Sequence, residues 1–389
     1  MDEVLKSSIS DMAGLSFQCS CGRTHKVDIK KIVIGSNKTP ELVDIVKSYG
    51  GKAFLCADNN TYDISGKNIE EALKQAGVTV KTYVFRPEHG NLVPNEQTLG
   101  RLLIEMDEDT KVIVAVGSGT INDLSRELCW KTHIPYIIAG TAPSMDGYAS
   151  VVSPIIIDHF KVSLEAGYAD AIILDSEVLK TAPDIMIQAG FGDVLGKYNA
   201  LTDWVLAREL KGEYYCDTCV QLVKNALHKC VDNVDAIAAR DSTALSYLAQ
   251  GLVLSGLAIG LVGNSRPASG AEHHFSHYWE MDALKKDLPH PLHGNCVGVG
   301  TVLTAYIYQM LGDKIPAACH PQKPEYIISL LDRIGASSSP KTLGIDRELF
   351  HRSVIHAYEV RPRFTVLTYA HELGLLEGFA DTLTEMFYD

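Results

Sequence analysis

The sequence predicts an α/β domain with an open, doubly wound, mostly parallel sheet, followed by an all-helical domain. Two observations favour this fold class. Short apolar runs alternate with helical patterns through the first half of the 389-residue chain, as in sheets that helices cover on both faces. The second half keeps helical spacing and contains no convincing strand. We expect the boundary near residue 178, which gives domains of residues 1–178 and 179–389.

Five compact runs rich in β-branched or apolar residues in the first half are predicted strands, since each is bounded by Gly, Asp or Pro. They cover residues 30–35, 52–58, 80–85, 111–117 and 134–140. Four segments with apolar residues at helical spacing lie between them. Two further strand-like pieces, ASVVSPIIID and AIILDSE, flank KVSLEAGYAD. Such a sheet binds its ligand beyond the carboxyl ends of its strands.

Composition narrows the function classes. The net charge of −13, from 35 basic and 48 acidic residues, argues against a nucleic-acid surface. A phosphorylated metabolite stays possible, because a few local donors outweigh a global field at short range. The N-terminus carries no apolar segment of signal-peptide length. Nine irregularly spaced cysteines also favour a reducing cytosol, so we expect a cytoplasmic protein.

One uncharged stretch, residues 242–265, has the length of a membrane span. Polar residues interrupt it, and Ala and Gly dominate over Leu and Ile. These features favour a buried helix that a neighbouring helix approaches closely. We therefore expect no membrane insertion.

Two turns and one acid follow predicted strands and suit a nucleotide. The turn Gly117-Ser118-Gly119-Thr120-Ile121 lies between a strand and a helix, where glycines admit a pyrophosphate and free N–H groups favour an anion. The second turn, residues 141–150, suits a ligand-facing loop; a helix cap at Ser144 is the structural alternative. Asp58, at the end of the second strand, could accept hydrogen bonds from a ribose or be an ordinary loop acid.

The helical half carries a candidate metal site. Asp193 lies in an apolar, glycine-rich segment, where a carboxylate is costly unless it is paired or binds a metal. His273 and His277 share one helix face, and His293 follows 20 positions after His273. One carboxylate and two imidazoles leave an open position on a divalent ion. The alternative is a polar rim with one or two core histidines.

Two cysteine groups could also bind zinc: Cys19 and Cys21 with His25, and Cys216 with Cys219. Neither group has a second pair at finger-like spacing, which favours structural or incidental thiols.

The combined motifs resemble those of the glycerol-1-phosphate dehydrogenases, relatives of glycerol dehydrogenase and dehydroquinate synthase within the iron-containing alcohol dehydrogenase superfamily. The motifs are GSGTINDLSR (117–126), TAPSMDGYAS (141–150), GFGD (190–193), SGAEHHFSHYWE (269–280) and LHG (292–294). They occur in the family's order, and the pattern covers nearly the whole chain. The N-terminal segment SFQCSCGRTHKVDIKKIVIG is similar to the bacterial branch.

The resemblance implies reduction of dihydroxyacetone phosphate to sn-glycerol 1-phosphate by a homodimer that uses NAD(H) or NADP(H) and one divalent ion, zinc or nickel. It implies substrate contacts at Asp146, Asp193 and His277, with Asp146 and His277 as the catalytic candidates. The implied metal ligands are Asp193, His273 and His293. The implied cofactor contacts are Asp58, Gly117, Ser118, Gly119, Thr120, Ile121, Thr141, Ala142, Pro143, Ser144 and Ser150.

Some points stay open. We place the substrate phosphate at Arg266, which precedes the His273 helix together with other hydrogen-bond donors; a solvated loop is the alternative. Asn295 and Cys296 stand where the family commonly has Glu after the His-Gly of the last ligand, which affects the surroundings of His293. A polyol dehydrogenase without a phosphate site, a lyase or cyclase that recycles NAD, and a non-catalytic binding module are the alternative functions. Asp58 favours NAD over NADP.

Overall fold

The protein is described by a computed structural model that covers residues 2–87, 90, 92–158 and 160–389. Its strands are β1 Ser16–Gln18, β2 Thr24–Lys26, β3 Lys31–Gly35, β4 Lys52–Asp58, β5 Thr79–Phe85, β6 Thr110–Gly117, β7 Tyr136–Gly140, β8 Val152–Ile157, β9 Phe160–Glu165 and β10 Ala171–Asp175. Its helices before residue 180 are α1 Asp2–Lys6, α2 Thr39–Tyr49, α3 Asn59–Thr61, α4 Lys67–Gln75, α5 Glu96–Glu105, α6 Gly119–Thr132 and α7 Ser176–Leu179.

The remaining helices form the second half of the chain. They are α8 Asp184–Lys211, α9 Asp217–Asp232, α10 Val234–Ala238, α11 Ser242–Val262, α12 Ala271–Lys285, α13 His293–Leu311, α14 Pro324–Ile334, α15 Arg347–His356, α16 Val366–Glu372 and α17 Leu376–Tyr388. Short 3-10 segments at Asp146–Ala149 and Ala357–Val360 matter for the site.

The predicted sheet is confirmed, and all its strand pairs are parallel. Six strands pair in the order β3-β10-β7-β6-β4-β5. The central strands β6 and β7 are buried along nearly their whole length, as expected for a parallel sheet covered on both faces. β10, the last strand along the chain, lies between β3 and β7 in the sheet and pairs in parallel with both. It ends at Asp175.

Two antiparallel hairpins were not predicted. KVSLE, which lies between the two strand-like pieces, is part of β9, and β9 pairs with β8. Strands β1 and β2 form a second hairpin near the N-terminus. That hairpin contacts α11 of the helical half, so the N-terminal segment joins the two halves of the chain.

The long helices of the second half pack closely because small residues lie at their crossings. The uncharged helix α11 is 72% buried over its most apolar window, as expected for a core helix. A Cβ at Gly251 would lie 2.9 Å from the Sγ of Cys230 on α9. The absence of a side chain there allows α9 and α11 to approach each other, as the small-residue content predicted.

Candidate functional site

The two glycine-containing turns leave the sheet side by side. Gly117 ends β6 and pairs in register with Gly140, which ends β7. The Thr141 amide donates a hydrogen bond to the Gly117 carbonyl at 3.1 Å. Both turns therefore lie at the carboxyl edge of the sheet, where open α/β sheets bind ligands.

The first turn leaves helix-start amides for an anion. α6 begins at Gly119, and the Ser118 side chain makes no capping hydrogen bond. The first-turn amides of a helix have no partner within the helix. A Cβ at Gly117 would lie 2.6 Å from Ile121, so only glycine allows this turn to close so tightly. The turn fits a pyrophosphate at a helix start.

Asp58 and the second turn border the same edge. β4 is the neighbour of β6 and ends at Asp58, whose Oδ1 accepts a hydrogen bond from the Thr61 amide at 2.9 Å. Asp58 is therefore a helix N-cap as well as a candidate ribose contact. Ser144 is not an N-cap, because Met145 occupies that position before the 3-10 segment Asp146–Ala149. Thr141, Ala142 and Pro143 are buried, and Ala142 belongs to a core cluster with residues of α8 and α11.

The three predicted metal ligands converge. Asp193 lies on α8, His273 on α12, and His293 is the first residue of α13. One ligand atom from each lies within 4.8 Å of the other two. Asp193 is fully buried and His273 is 5% exposed. A carboxylate and two imidazoles at such distances could hold one divalent ion.

Missing side chains bring α8 to this position. A Cβ at Gly190 would lie 1.7 Å from the Pro143 carbonyl oxygen, and one at Gly192 would lie 2.3 Å from that of Gly294. A Cβ at Gly294 would in turn lie 1.9 Å from the Ala189 carbonyl oxygen. The GFGD motif therefore sets Asp193 between the sheet edge and α13.

Neighbouring polar groups orient both imidazoles. Nδ1 of His273 lies 2.8 Å from Oε1 of Glu272, and Nδ1 of His293 lies 3.1 Å from Oγ of Ser276. Nε2 of His273 faces Asp193 Oδ1 at 3.7 Å, which is too long for a hydrogen bond. Such contacts to the far ring nitrogen leave the near one for a metal. The donor set therefore fits a metal.

Lys197 belongs to the site and was not identified from the sequence. Its Nζ donates to Asp193 Oδ1 at 2.7 Å, to Asp146 Oδ2 at 2.9 Å and to the Ala268 carbonyl at 3.0 Å. The amide of Asp146 donates to Asp193 Oδ2 at 2.9 Å. Lys197 follows Asp193 by four residues on α8, a spacing that a search for buried ion pairs could have used.

The charges of this group are coupled. Burial and the charge of Asp146 raise the pKa of Asp193, although Lys197 opposes them. Burial would also raise the pKa of Asp146, but Lys197 and the Ser255 hydroxyl outweigh it and lower that pKa. Burial disfavours the ammonium of Lys197, yet the two carboxylates raise its pKa. The two carboxylates and the one ammonium together carry a net charge of −1, which favours a further cation.

His277 lies beside the cluster and belongs to a second, overlapping group. Ligand atoms of His277, Glu280 and His293 also lie within 4.8 Å of one another. Nδ1 of His277 is 3.6 Å from Glu280 Oε2, and Glu280 forms an ion pair with Lys161 of β9 at 2.5 Å. Burial lowers the pKa of His277 to about 3, despite the carboxylate of Glu280. The His277 imidazole is therefore neutral at pH 7.

Arg266, where we expect the substrate phosphate, is held by other groups of the protein. Its guanidinium forms an ion pair with Glu213 and donates to the Phe364 carbonyl, and the residue is 4% exposed. Arg361 differs, since among the described residues its side chain makes no recorded hydrogen bond or ion pair. The 3-10 segment before it, Ala357–Val360, packs against α12. Burial lowers the pKa of Arg361, and the negative charge of Glu280 partly opposes this effect.

Other polar residues in and near these motifs lie outside the Asp193 cluster. His290 is exposed, and His274 is buried with no partner for either ring nitrogen among the described residues. Asn295 donates to the Ile185 carbonyl at 3.3 Å, and Cys296 is buried in the core around α13. Ser150 follows the 3-10 segment, and its hydroxyl donates to the Val152 carbonyl.

Comparisons with known proteins identify the family and the fold. Residues 33–183 match the family model described as iron-containing alcohol dehydrogenase. A glycerol-1-phosphate dehydrogenase [NAD(P)+] of Bacillus licheniformis is 37% identical, over 92% of this chain and 93% of its own. One of Geobacillus stearothermophilus is 33% identical, over 96% and 100%. The structure of a Schizosaccharomyces pombe glycerol dehydrogenase has a TM-score of 0.69 at 20% identity, over 91% of this chain and 90% of its own.

Proposed function

Because this chain belongs to the glycerol-1-phosphate dehydrogenase family, we propose that it catalyses the reversible, NAD(P)-dependent reduction of dihydroxyacetone phosphate to sn-glycerol 1-phosphate. The observation that carries the proposal is the meeting of Asp193, His273 and His293 beside the carboxyl edge of the sheet. That edge is where a nicotinamide would lie, so the cofactor and the metal would face each other across the cleft.

The cofactor would bind along the edge formed by β4, β6 and β7. The amides of Gly119, Thr120 and Ile121 would hold the pyrophosphate, with Gly117 and Ser118 forming the turn. Asp58 would accept hydrogen bonds from the ribose through the carboxylate oxygen that does not cap α3. The bound nicotinamide supplies or accepts the hydride. Thr141, Ala142, Pro143, Ser144 and Ser150 would line the second side of the cofactor.

Asp193, His273 and His293 would hold one divalent ion, zinc or nickel. Such an ion, when bound, acts as a Lewis acid toward the carbonyl group of the substrate. The alternative trio of His277, Glu280 and His293 shares only His293 with this set. We favour the Asp193 set because the two carboxylates of Asp193 and Asp146 share a single ammonium, that of Lys197. The single carboxylate of Glu280, in contrast, has its own partner in Lys161 and faces Arg361.

The chain's own side chains would position the substrate and move its proton. Asp146 is held by Lys197 and by the Ser255 hydroxyl at 2.8 Å, and we assign it to a substrate hydroxyl. His277 is neutral, so its imidazole can take a proton on one nitrogen and release one from the other. We assign it to relaying the proton between solvent and the substrate oxygen.

We assign the substrate phosphate to Arg361 in place of Arg266. The guanidinium of Arg361 lacks a hydrogen-bond partner among the described residues, and a planar, charged donor is suited to a phosphate. Arg361→Ala should raise KM for dihydroxyacetone phosphate and leave turnover of dihydroxyacetone nearly unchanged. Arg266→Ala should instead lower thermal stability, because it leaves Glu213 without its partner. Equal losses on both substrates in Arg361→Ala would contradict the assignment.

A polyol dehydrogenase is the second candidate, since nothing in the metal group itself requires a phosphate. Arg361, whose guanidinium has no hydrogen-bond partner in the described part of the chain, favours the phosphorylated substrate. A cytoplasmic location and a homodimer are also part of the proposal. Light scattering of the purified protein would check the dimer.

The deciding experiment combines metal analysis with NADH-linked turnover of dihydroxyacetone phosphate, with and without a chelator. We expect the chelator to abolish turnover and a divalent ion to restore it. Asp193→Asn should lose one bound ion per chain, whereas the matched control Glu280→Gln should keep it. Full activity in the chelated protein, or unchanged metal content in Asp193→Asn, would refute the proposal. Net NADH oxidation also excludes a lyase or cyclase that recycles its cofactor.

A further inference from the structure

Cys216, from one of the two cysteine groups that the sequence leaves separate, lies in a single cluster with the three residues of the other group. Ligand atoms of Cys19, Cys21, His25 and Cys216 all lie within 4.8 Å of one another. The first three lie on or beside the β1–β2 hairpin, and Cys216 precedes α9, 197 residues after Cys19. We propose that these four residues bind a structural metal ion, with zinc as the preferred ion, that fastens the N-terminal hairpin to the helical domain.

The distances match a tetrahedral site. Sγ of Cys19 lies 3.7 Å from Sγ of Cys216, and Nε2 of His25 lies 3.3 Å from Sγ of Cys21 and 3.4 Å from Sγ of Cys216. With bonds of about 2.3 Å to sulfur and about 2.0–2.1 Å to nitrogen, ligand atoms of a tetrahedral zinc lie roughly 3.5–3.8 Å apart. Three sulfurs and one imidazole form a closed structural set, with no open position for a substrate.

The surroundings prepare His25 and the sulfurs for this role. His25 is 1% exposed, and its Nδ1 lies 2.6 Å from the Leu261 carbonyl. A carbonyl only accepts, so Nδ1 carries the proton and the lone pair of Nε2 faces the three sulfurs. The hydroxyl of Tyr214 donates to Sγ of Cys21 at 3.1 Å.

Charge compensation is also present. Three thiolates and a divalent ion leave a net charge of −1, and the guanidinium carbon of Arg23 lies 3.5 Å above the Tyr214 ring that contacts Cys21. Cys216 is the N-cap residue of the 16-residue helix α9, where the helix dipole favours a thiolate. This site is separate from the Asp193 group, which contains no sulfur.

The absence of sulfur from the Asp193 group allows a direct spectroscopic test. The full-length protein is produced in cells grown with Co²⁺ in place of zinc, and the near-ultraviolet spectrum of the purified protein is recorded. We expect thiolate-to-cobalt charge-transfer bands, which the Asp193 group cannot produce. These bands should persist in His273→Ala and disappear in the double variant Cys19→Ser/Cys216→Ser. Absence of the bands from the wild-type protein with cobalt bound would overturn the proposal.

Metal stoichiometry gives a second, independent readout. We expect two ions per chain in the wild-type protein, one in Cys19→Ser/Cys216→Ser and one in His273→Ala. Cys129→Ser is the matched control, because Cys129 is a partly buried cysteine outside the cluster, and it should keep both ions. A thiol-specific mercurial should release one ion from the wild-type protein, which needs no variant to fold.

A disulfide between Cys19 and Cys216 is the competing outcome. Thiol titration of the denatured, chelated wild-type protein should find all nine cysteines free if the cluster binds metal. A count two lower, with no ion released by the mercurial, would overturn the proposal in favour of the disulfide. Neither result depends on which substrate the Asp193 site uses.

Discussion

Lys197 links the two carboxylates of the site, so its removal gives a sharp test of the electrostatic argument. Lys197→Met keeps a long, unbranched side chain and removes the charge together with three hydrogen bonds, to Asp193, Asp146 and the Ala268 carbonyl. Loss of one partner from a buried ion pair typically costs about 3–5 kcal/mol. We expect a loss of that size in the free energy of unfolding of the metal-free protein.

A bound divalent ion should reduce this loss, because it compensates Asp193 in place of the ammonium. The remaining cost is the unsatisfied hydrogen bonding at Asp146 and Ala268, about 1–2 kcal/mol. Thermodynamic linkage then requires the variant to bind the ion more tightly than the wild-type protein, by the difference of about 2–3 kcal/mol. At about 1.4 kcal/mol per factor of ten, this difference corresponds to roughly 30–140-fold in Kd.

The assay is urea denaturation of metal-free and metal-saturated protein, with Kd measured by competition with a chromophoric chelator. Lys180→Met is the control, because Lys180 forms a solvent-exposed pair with Glu177, and such pairs contribute little. A variant that binds the ion more weakly than the wild-type protein would refute the reasoning. Lys197 would then serve to orient Asp193 for ligation rather than to replace a missing cation.

Three further predictions test the close helix approach, the cofactor edge and the surface charge. Gly192→Ala should lower the free energy of unfolding by about 1–3 kcal/mol or more, because the added Cβ would meet the Gly294 carbonyl. Gly100→Ala is the control, since a Cβ there would meet no described atom within 4 Å. In the same denaturation assay it should be neutral or stabilising by up to about 1 kcal/mol. Asp58→Asn should keep the α3 cap and lower KM for NADP relative to NAD in steady-state kinetics, since an amide no longer repels a 2′-phosphate. Asp107 forms ion pairs with Lys81 and Lys52, which lower its pKa below 3.8. A carboxylate whose pKa is lower in the folded than in the unfolded protein stabilises the fold at pH values above its unfolded-state pKa. This stabilisation is lost as the pH falls through the folded-state pKa. The melting temperatures of the wild type and of Asp107→Asn should therefore differ at pH 7 and converge in acid.

The sheet was predictable because each of its strands is a complete local signal. The runs that form β4, β6 and β7 are continuously apolar and bounded by turn residues, so burial on both faces is visible in the sequence. β9, the second strand of the β8–β9 hairpin, lacks this signal. Most of β9 is exposed, and a strand without a buried face shows neither continuous apolarity nor alternation.

The same distinction applies to the site residues: local signals could be read from the sequence, and contacts between distant segments could not. The spacing of His273 and His277 and the apolar setting of Asp193 could be recognised locally. The partners of Arg266 could not, since Glu213 and Phe364 lie 53 and 98 residues away. The sequence named both cysteine groups as possible zinc ligands, but it could not join them for the same reason: no spacing rule relates Cys216 to a hairpin 197 residues earlier. A proper prediction of either requires the packing of α9, α11 and the N-terminal segment.

The separation of the two metal groups follows from what each must do. A site that exchanges substrate requires an open position, and the Asp193 group has only three ligands, from three helices that meet at the domain cleft. Its buried net charge of −1 favours a divalent cation. In the metal-free protein the ammonium of Lys197 partly compensates the carboxylates of Asp193 and Asp146 and so limits the cost of burying them. The cysteine group has four ligands and lies where the hairpin meets α9, away from the sheet edge. Loss of its ion should therefore lower stability with little effect on KM, whereas loss of the other ion should abolish turnover.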